Sequence, residues 1–226
     1  WDPAEGRARS LNGSGRAARG ATIDAAHATG LAEMPKYGPW TITVPGAQGF
    51  SVGQGLPQAP VAGLFANGPG GPLPIIGPDG RTPFEAYARP FASNGRPKIA
   101  LIIGGLGLNA KGTREAIESL PPEISLSFVP YAEGLQGWID LARANGHEVL
   151  LETPMEPTDY PENDPGPYTL MAGAQPAETV KKLEWVLSRA TGYFALTNYL
   201  GSKFMTADPA MEAFTSMYSP ARRAVR

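Results

Sequence analysis

The chain has 226 residues, a net charge of −2, no cysteine and only two histidines, His27 and His147. These figures exclude disulfides and thiol catalysis, remove the electrostatic case for a nucleic-acid partner and all but exclude a histidine-rich zinc site. No run approaches the roughly 18 apolar residues of a membrane span. No signal peptide is visible, and the chain begins at Trp1 without Met, so it is read as a piece of a longer product.

Seventeen of the 28 glycines and twelve of the 24 prolines fall within residues 1–96. Such a composition buries too little apolar surface to offset the entropy of ordering, so residues 1–71 are expected to form a largely disordered arm. Within it, "RGATIDAAHATGLAEM" holds at most a weak helical turn. Residues 72–96 read differently. Their "GPDG" is a turn signal, and Phe84, Tyr87 and Phe91 are candidate anchors of an extended segment packed on the domain that follows.

From residue 97 strand and helix patterns alternate. Lys98–Ile103 is a short apolar run suited to a strand buried on both faces. Ala110–Leu120 reads as a helix stopped by Pro121-Pro122, and Ile124–Val129 as a second strand. Leu135, Trp138, Ile139 and Ala142 give a helix with one apolar face, ended by Gly146. His147–Leu151 is a third strand, followed by a long polar loop. A helix then opens on Pro176, with Glu178 in its first turn, Arg189 in its last and a stripe of Val180, Leu183 and Leu187. Tyr193–Leu196 is a fourth strand, and Asp208-Pro209 caps a last helix. This alternation predicts an α/β fold with a parallel sheet or barrel.

"IALIIGGLGLN" at residues 99–109 carries the strongest functional signal. Gly105, Gly107 and Ala110 fit the loose dinucleotide spacing G-x-G-x-x-A between strand and helix. The acid expected about 20 residues on is missing, because the second strand ends in Phe128-Val129-Pro130-Tyr131 with no acid before Glu133. A nucleotide-binding enzyme is therefore the weaker alternative, and a tight strand-to-helix turn is the simpler reading.

Three segments occur together in order: "KIALIIGGLGLN", "GHEVLLETPMEP" and "NYLGSKF". With "LPPEISLSFVPYAEGLQGWIDLARANGHE" and "DPGPYTLMAG" between them, the stretch over about 97–214 resembles the divergent polysaccharide deacetylase family, bacterial envelope proteins related to carbohydrate esterases. The resemblance implies an irregular (β/α) barrel with its site at the C-terminal ends of the strands. It also implies zinc-dependent removal of N-acetyl groups from glycans, and a periplasmic or cell-envelope location. Family domains run about 100 residues further, so residues 97–226 are expected to form the N-terminal part of the barrel. That leaves an open edge at Tyr193–Leu196 and a basic tail at Arg222, Arg223 and Arg226.

The departures from the family pattern set the functional expectation. Its paired aspartates fall on Gly104 and Gly105, the histidine before P-M-E-P on Glu152, and the histidine of N-H-M-G-S on Tyr199. Glycine supplies no metal ligand and tyrosine a poor one, so no metal or other cofactor is expected. His147 reads as a strand-start residue with its ring bonded locally. The candidate groove is Gly104, Gly105, Glu152, Glu156, Asn198, Tyr199 and Ser202. Glu156 reads either as a ligand contact or as a turn residue bonding backbone amides. Glu152 with Glu156 is a weak candidate glycosidase pair. Ser202 with Lys203 is discounted as a nucleophile pair, because neighbours on a strand face opposite ways. Two functions remain in view: a deacetylase-type domain without metal-dependent activity, and a non-enzymatic partner binding a glycan, a peptidoglycan fragment or an envelope protein.

Overall fold

The computed structural model describes residues 55–91, 95 and 97–216. The N-terminal arm up to residue 54 and the basic tail lie outside the described residues. The chain from 55 to 71, expected without structure, contains a strand. β1 (Phe65–Gly68) and β2 (Gly71–Pro74) form an antiparallel hairpin. Gly71 adopts φ 140°, and a Cβ there would lie 2.7 Å from the Ser188 carbonyl oxygen, so the tip needs glycine. Composition alone missed the hairpin because its apolar contacts are made with distant residues.

The "GPDG" stretch turns as expected, with the Gly80 N–H donating to the Gly77 carbonyl at 2.9 Å. Helix α1 (Pro83–Tyr87) follows, so this segment is not wholly extended. Thr82 and Glu85 form a capping box, and Pro83 occupies a first-turn position where no N–H is needed. Of the three anchors, Tyr87 is buried and its hydroxyl accepts from the Val61 N–H. Phe84 is largely exposed but lies against Phe194 at 5.6 Å between centroids. Phe91 is 65% exposed and anchors nothing comparable.

The main sheet has four parallel strands in the order β3-β4-β5-β6. They are β3 (Ile102–Leu106), β4 (Ser125–Phe128), β5 (Val149–Met155) and β6 (Ala195–Leu200). The helices between and after them are α2 (Ala110–Ser119), α3 (Leu135–Ala144), α4 (Pro176–Leu187) and α5 (Asp208–Ser216). This is part of a (β/α) barrel, as expected. Leu126, Phe128, Val149 and Leu151 alternate toward the helices and join Ile117, Ile139, Leu183 and Val186 in one core. Ser127 and Glu152 alternate toward the opposite face.

Several expectations shift. The first strand starts four residues later than predicted and is not buried on both faces. It is an edge strand, and Ile99, Leu101, Ile102 and Ile103 are exposed, Ile99 by 89%. A continuous apolar run looks the same in sequence whether or not a neighbour covers it. β5 runs on to Met155 because β6 pairs with it from Leu150↔Ala195 to Met155↔Leu200. β6 accordingly begins two residues late, and Tyr193 is buried with its hydroxyl donating to the Leu187 carbonyl. On α4 the buried positions are Thr179, Leu183, Val186 and Leu187, with Val180 half-buried, and Arg189 lies beyond the helix.

Arg143 on α3 fastens the early chain to this sheet. It is 2% exposed and faces carbonyl oxygens rather than a carboxylate. Its Nη1 donates to Tyr87 (2.9 Å) and Gly192 (3.0 Å), and its Nη2 to Pro57 (2.8 Å). The guanidinium also lies 5.0 Å from the Tyr87 ring centroid. Burial pulls its pKa below the ordinary arginine value, while Tyr87, Asp140 and Glu148 act the other way. Replacing Arg143 by Met strands three carbonyls, so Arg143→Met is expected to cost about 3 kcal/mol in urea unfolding. Arg114→Ala, which removes an exposed ion pair with Glu118 and a cation–π contact with Trp138, should cost about 1 kcal/mol.

Candidate functional site

β3 and β4 pair at Ile102↔Ser125 and Ile103↔Leu126, then slip before Leu106↔Phe128. The slip falls on Gly104-Gly105. Gly105 has φ 74°, a left-handed conformation that glycine adopts without penalty. Its N–H donates to Glu152 Oε1 at 2.6 Å. Glu152 stands on β5, so its side chain reaches across β4 to do this. On the way the same oxygen accepts the Ser127 hydroxyl at 2.7 Å. Glu152 is 3% exposed, and its Oε2 is buried with no hydrogen-bond partner among the described residues.

Gly104, Gly105, Ser127 and Glu152 therefore come together. Sequence reasoning missed Ser127, whose only signal was a polar residue within a strand otherwise rich in Leu and Phe. Tyr199 and Asn198 lie on the adjoining β6, where Thr197 pairs with Glu152 and Tyr199 with Pro154. Tyr199 is 41% exposed. Asn198 is exposed, and its amide donates to the Leu200 carbonyl at 2.8 Å.

Glu156 belongs to a different cluster. Its Oε1 takes Lys203 Nζ at 2.7 Å and its Oε2 takes the Ala172 N–H at 2.7 Å. The Glu156 carbonyl accepts from the Lys203 and Phe204 amides, at 3.1 and 3.0 Å. This carboxylate clasps the end of β5 to two later segments, which matches the turn-residue reading. Glu152 and Glu156 thus serve separate sets of partners. Ser202 and Lys203 follow β6 and lie on no strand. Ser202 Oγ accepts the Thr158 N–H at 3.0 Å, while Lys203 turns to Glu156.

His147 is fully buried, and its contacts are not local. Nδ1 lies 2.8 Å from the Ile124 carbonyl oxygen and Nε2 3.0 Å from that of Ile117. The ring ties β5 to the end of α2 and the approach to β4, away from the glycine pair.

Side chains also engage the backbone where the glycine loop enters α2. Gly107 N–H donates to Thr113 Oγ1 at 2.9 Å, and Asn109 caps α2 through the Gly112 N–H at 2.8 Å. A Cβ on Gly107 would lie 2.4 Å from that of Ala132, so close packing of two loops accounts for this glycine.

Zinc, implied by the sequence resemblance, does not fit these residues. A catalytic zinc needs three protein ligands. Among the described residues no three His, Cys, Asp or Glu side chains come close enough to hold a metal ion. Among the described residues Glu152 alone brings a carboxylate to the glycine pair, and its Oε1 already accepts two hydrogen bonds.

Comparison with known proteins agrees with the fold and the motifs. Residues 101–223 match the divergent polysaccharide deacetylase family. The chain belongs to that family. It is 29% identical over 118 residues to an uncharacterized protein of Haemophilus influenzae, which covers 52% of this chain and 40% of that one. It also resembles the crystal structure of the uncharacterized protein ATU2773 from Agrobacterium tumefaciens C58, at 40% identity and a TM-score of 0.63. That match covers 65% of this chain and 60% of the other. The chain thus spans about two fifths and three fifths of these relatives.

The Glu156 clasp makes stability depend on pH. Burial alone would push its carboxyl up, but the Lys203 hydrogen bond and charge and the Ala172 N–H hold it below the ordinary value of 4.5. With the folded value below the unfolded one, its contribution is fully present above the unfolded value and fades as pH falls through the folded one. The stability difference between the parent and Glu156→Gln should be constant above about pH 5.5 and shrink below about pH 4.5. Urea unfolding from pH 7 to pH 3 measures it.

Proposed function

We propose that this chain is a glycan-binding domain of the deacetylase family that works without metal-dependent hydrolysis. The observation that supports this most directly is which groups face solvent at the strand ends. Gly104 and Gly105 present bare backbone, with nothing within 4 Å of a Cβ added at Gly105. Asn198 offers an exposed amide and Tyr199 an exposed ring. Tyr199 shares the strand face of Glu152, and an exposed aromatic ring there suits stacking on a sugar ring. The acid of the cluster, Glu152, is buried and engaged, so it is not free to activate water. The ligand class is a glycan or peptidoglycan fragment, and the location is the periplasm or cell envelope.

A second reading is an envelope-protein partner. The exposed apolar row Ile99, Leu101, Ile102 and Ile103 on an uncovered edge favours it, because such edges accept strands from other chains.

Calorimetry with chito-oligosaccharides and peptidoglycan fragments, run beside an acetate-release assay with and without added zinc, separates these readings. Binding with no acetate released is the expected result. Tyr199→Ala should weaken binding about tenfold, the worth of one lost stacking contact. Zinc-stimulated acetate release would return a metalloenzyme to first place, and no binding to any glycan would leave the protein partner.

A further inference from the structure

We infer that Gly104 and Glu152 are a spatially exchanged pair: the carboxylate reaching over from β5 occupies the room that a side chain on β3 would need. The site is therefore refilled rather than emptied, and the missing zinc ligands and the buried glutamate are one feature. This concerns the same cluster as the proposed function but does not depend on a glycan binding there.

Three observations carry it. An ideal Cβ on Gly104 would lie 2.9 Å from Glu152 Oε1 and 2.9 Å from Ser127 Oγ. Real Cβ atoms do not sit that close, so one neighbour has to move. A carboxylate tip can usually swing aside, but this one is buried and accepts two hydrogen bonds through the oxygen that would be displaced. Moving it strands the Gly105 N–H or the Ser127 hydroxyl. Finally, Gly104 itself has no left-handed φ, unlike Gly105 at 74°. The backbone at 104 accepts any residue, so the requirement for glycine there comes from Glu152 and Ser127 rather than from conformation.

The consequence is that an acid cannot be restored at position 104 while Glu152 stays where it is. Glu152 acts as a positioning residue. It fixes the exposed Gly104-Gly105 peptide by holding the Gly105 N–H, which the slipped β3–β4 ladder leaves without a strand partner.

The test is a double-mutant cycle in urea unfolding with the parent, Gly104→Ala, Glu152→Ala and the double variant. Gly104→Ala should raise the unfolding constant roughly tenfold in the parent, and much less when Glu152 is already Ala. Equal cost in both backgrounds, or no cost in the parent, would overturn the pairing. Should Glu152→Ala fail to fold, amide hydrogen exchange of the parent and Gly104→Ala decides the matter. The Gly105 amide, though on an exposed edge, should exchange slowly in the parent and about tenfold or more faster in Gly104→Ala. Glu152→Gln, which keeps an acceptor oxygen, should retain that protection. A Gly105 amide that exchanges freely in the parent, or that is unchanged by Gly104→Ala, would sink the inference whatever the glycan assays report.

Discussion

The rim of this sheet depends on a single oxygen atom. Glu152 Oε1 starts on β5, passes Ser127 on β4 and ends on the Gly105 N–H of β3, joining three strands on the face away from the helices. The bond falls where regular pairing of β3 and β4 is interrupted. A slipped ladder leaves donors without strand partners, and the Gly105 N–H finds one in Glu152. The side chain thus replaces the ladder bond that the bulge removes. The support matters because nothing among the described residues covers the other edge of β3.

The remaining buried polar groups repeat the same logic at greater distance. His147 links two carbonyl oxygens on the approach to β4 and the end of α2. Arg143 gathers three carbonyls from the early chain and from the turn before β6. Glu156 holds the end of β5 to Ala172 and Lys203. In each case a long side chain reaches backbone groups at helix ends or in loops, where ladder and helix bonds run out. These residues position the site without entering it. His147 and Glu156 are the two that a motif-based reading most readily mistakes for chemistry, because both stand in the segment that carries the family resemblance.

The fold was largely legible in sequence because its signals are local. The apolar stripe Leu135, Ile139 and Ala142, the Pro176 start and the Asp208 start all appear where the periodicity put them. The hairpin at 65–74 was not legible, because its support is the distant contact of Gly70 and Gly71 with Ser188. Exposure of β3 was not legible either, since burial of an edge depends on a neighbour and not on the strand's own residues. At the site, the motif match located Gly104, Gly105 and Glu152, but the residues of the sequence do not say that one glutamate reaches two strands. Ser127 had only the weak signal of a polar residue between Leu126 and Phe128. Its role exists only because β4 lies between Glu152 and Gly105.

What the cluster can do chemically follows from where its charge sits. A carboxylate that serves as base or metal ligand needs lone pairs directed at the reacting atoms and open to them. Here one oxygen is fully committed to the protein's own donors and the other is buried without a partner. The groups that do reach solvent, the Gly104-Gly105 peptide, the Asn198 amide and the Tyr199 ring, are ones that hydrogen-bond and stack. The glycine pair on β3 leaves room for the Glu152 carboxylate to reach across β4, and the same carboxylate then ties that pair to the two strands beside it.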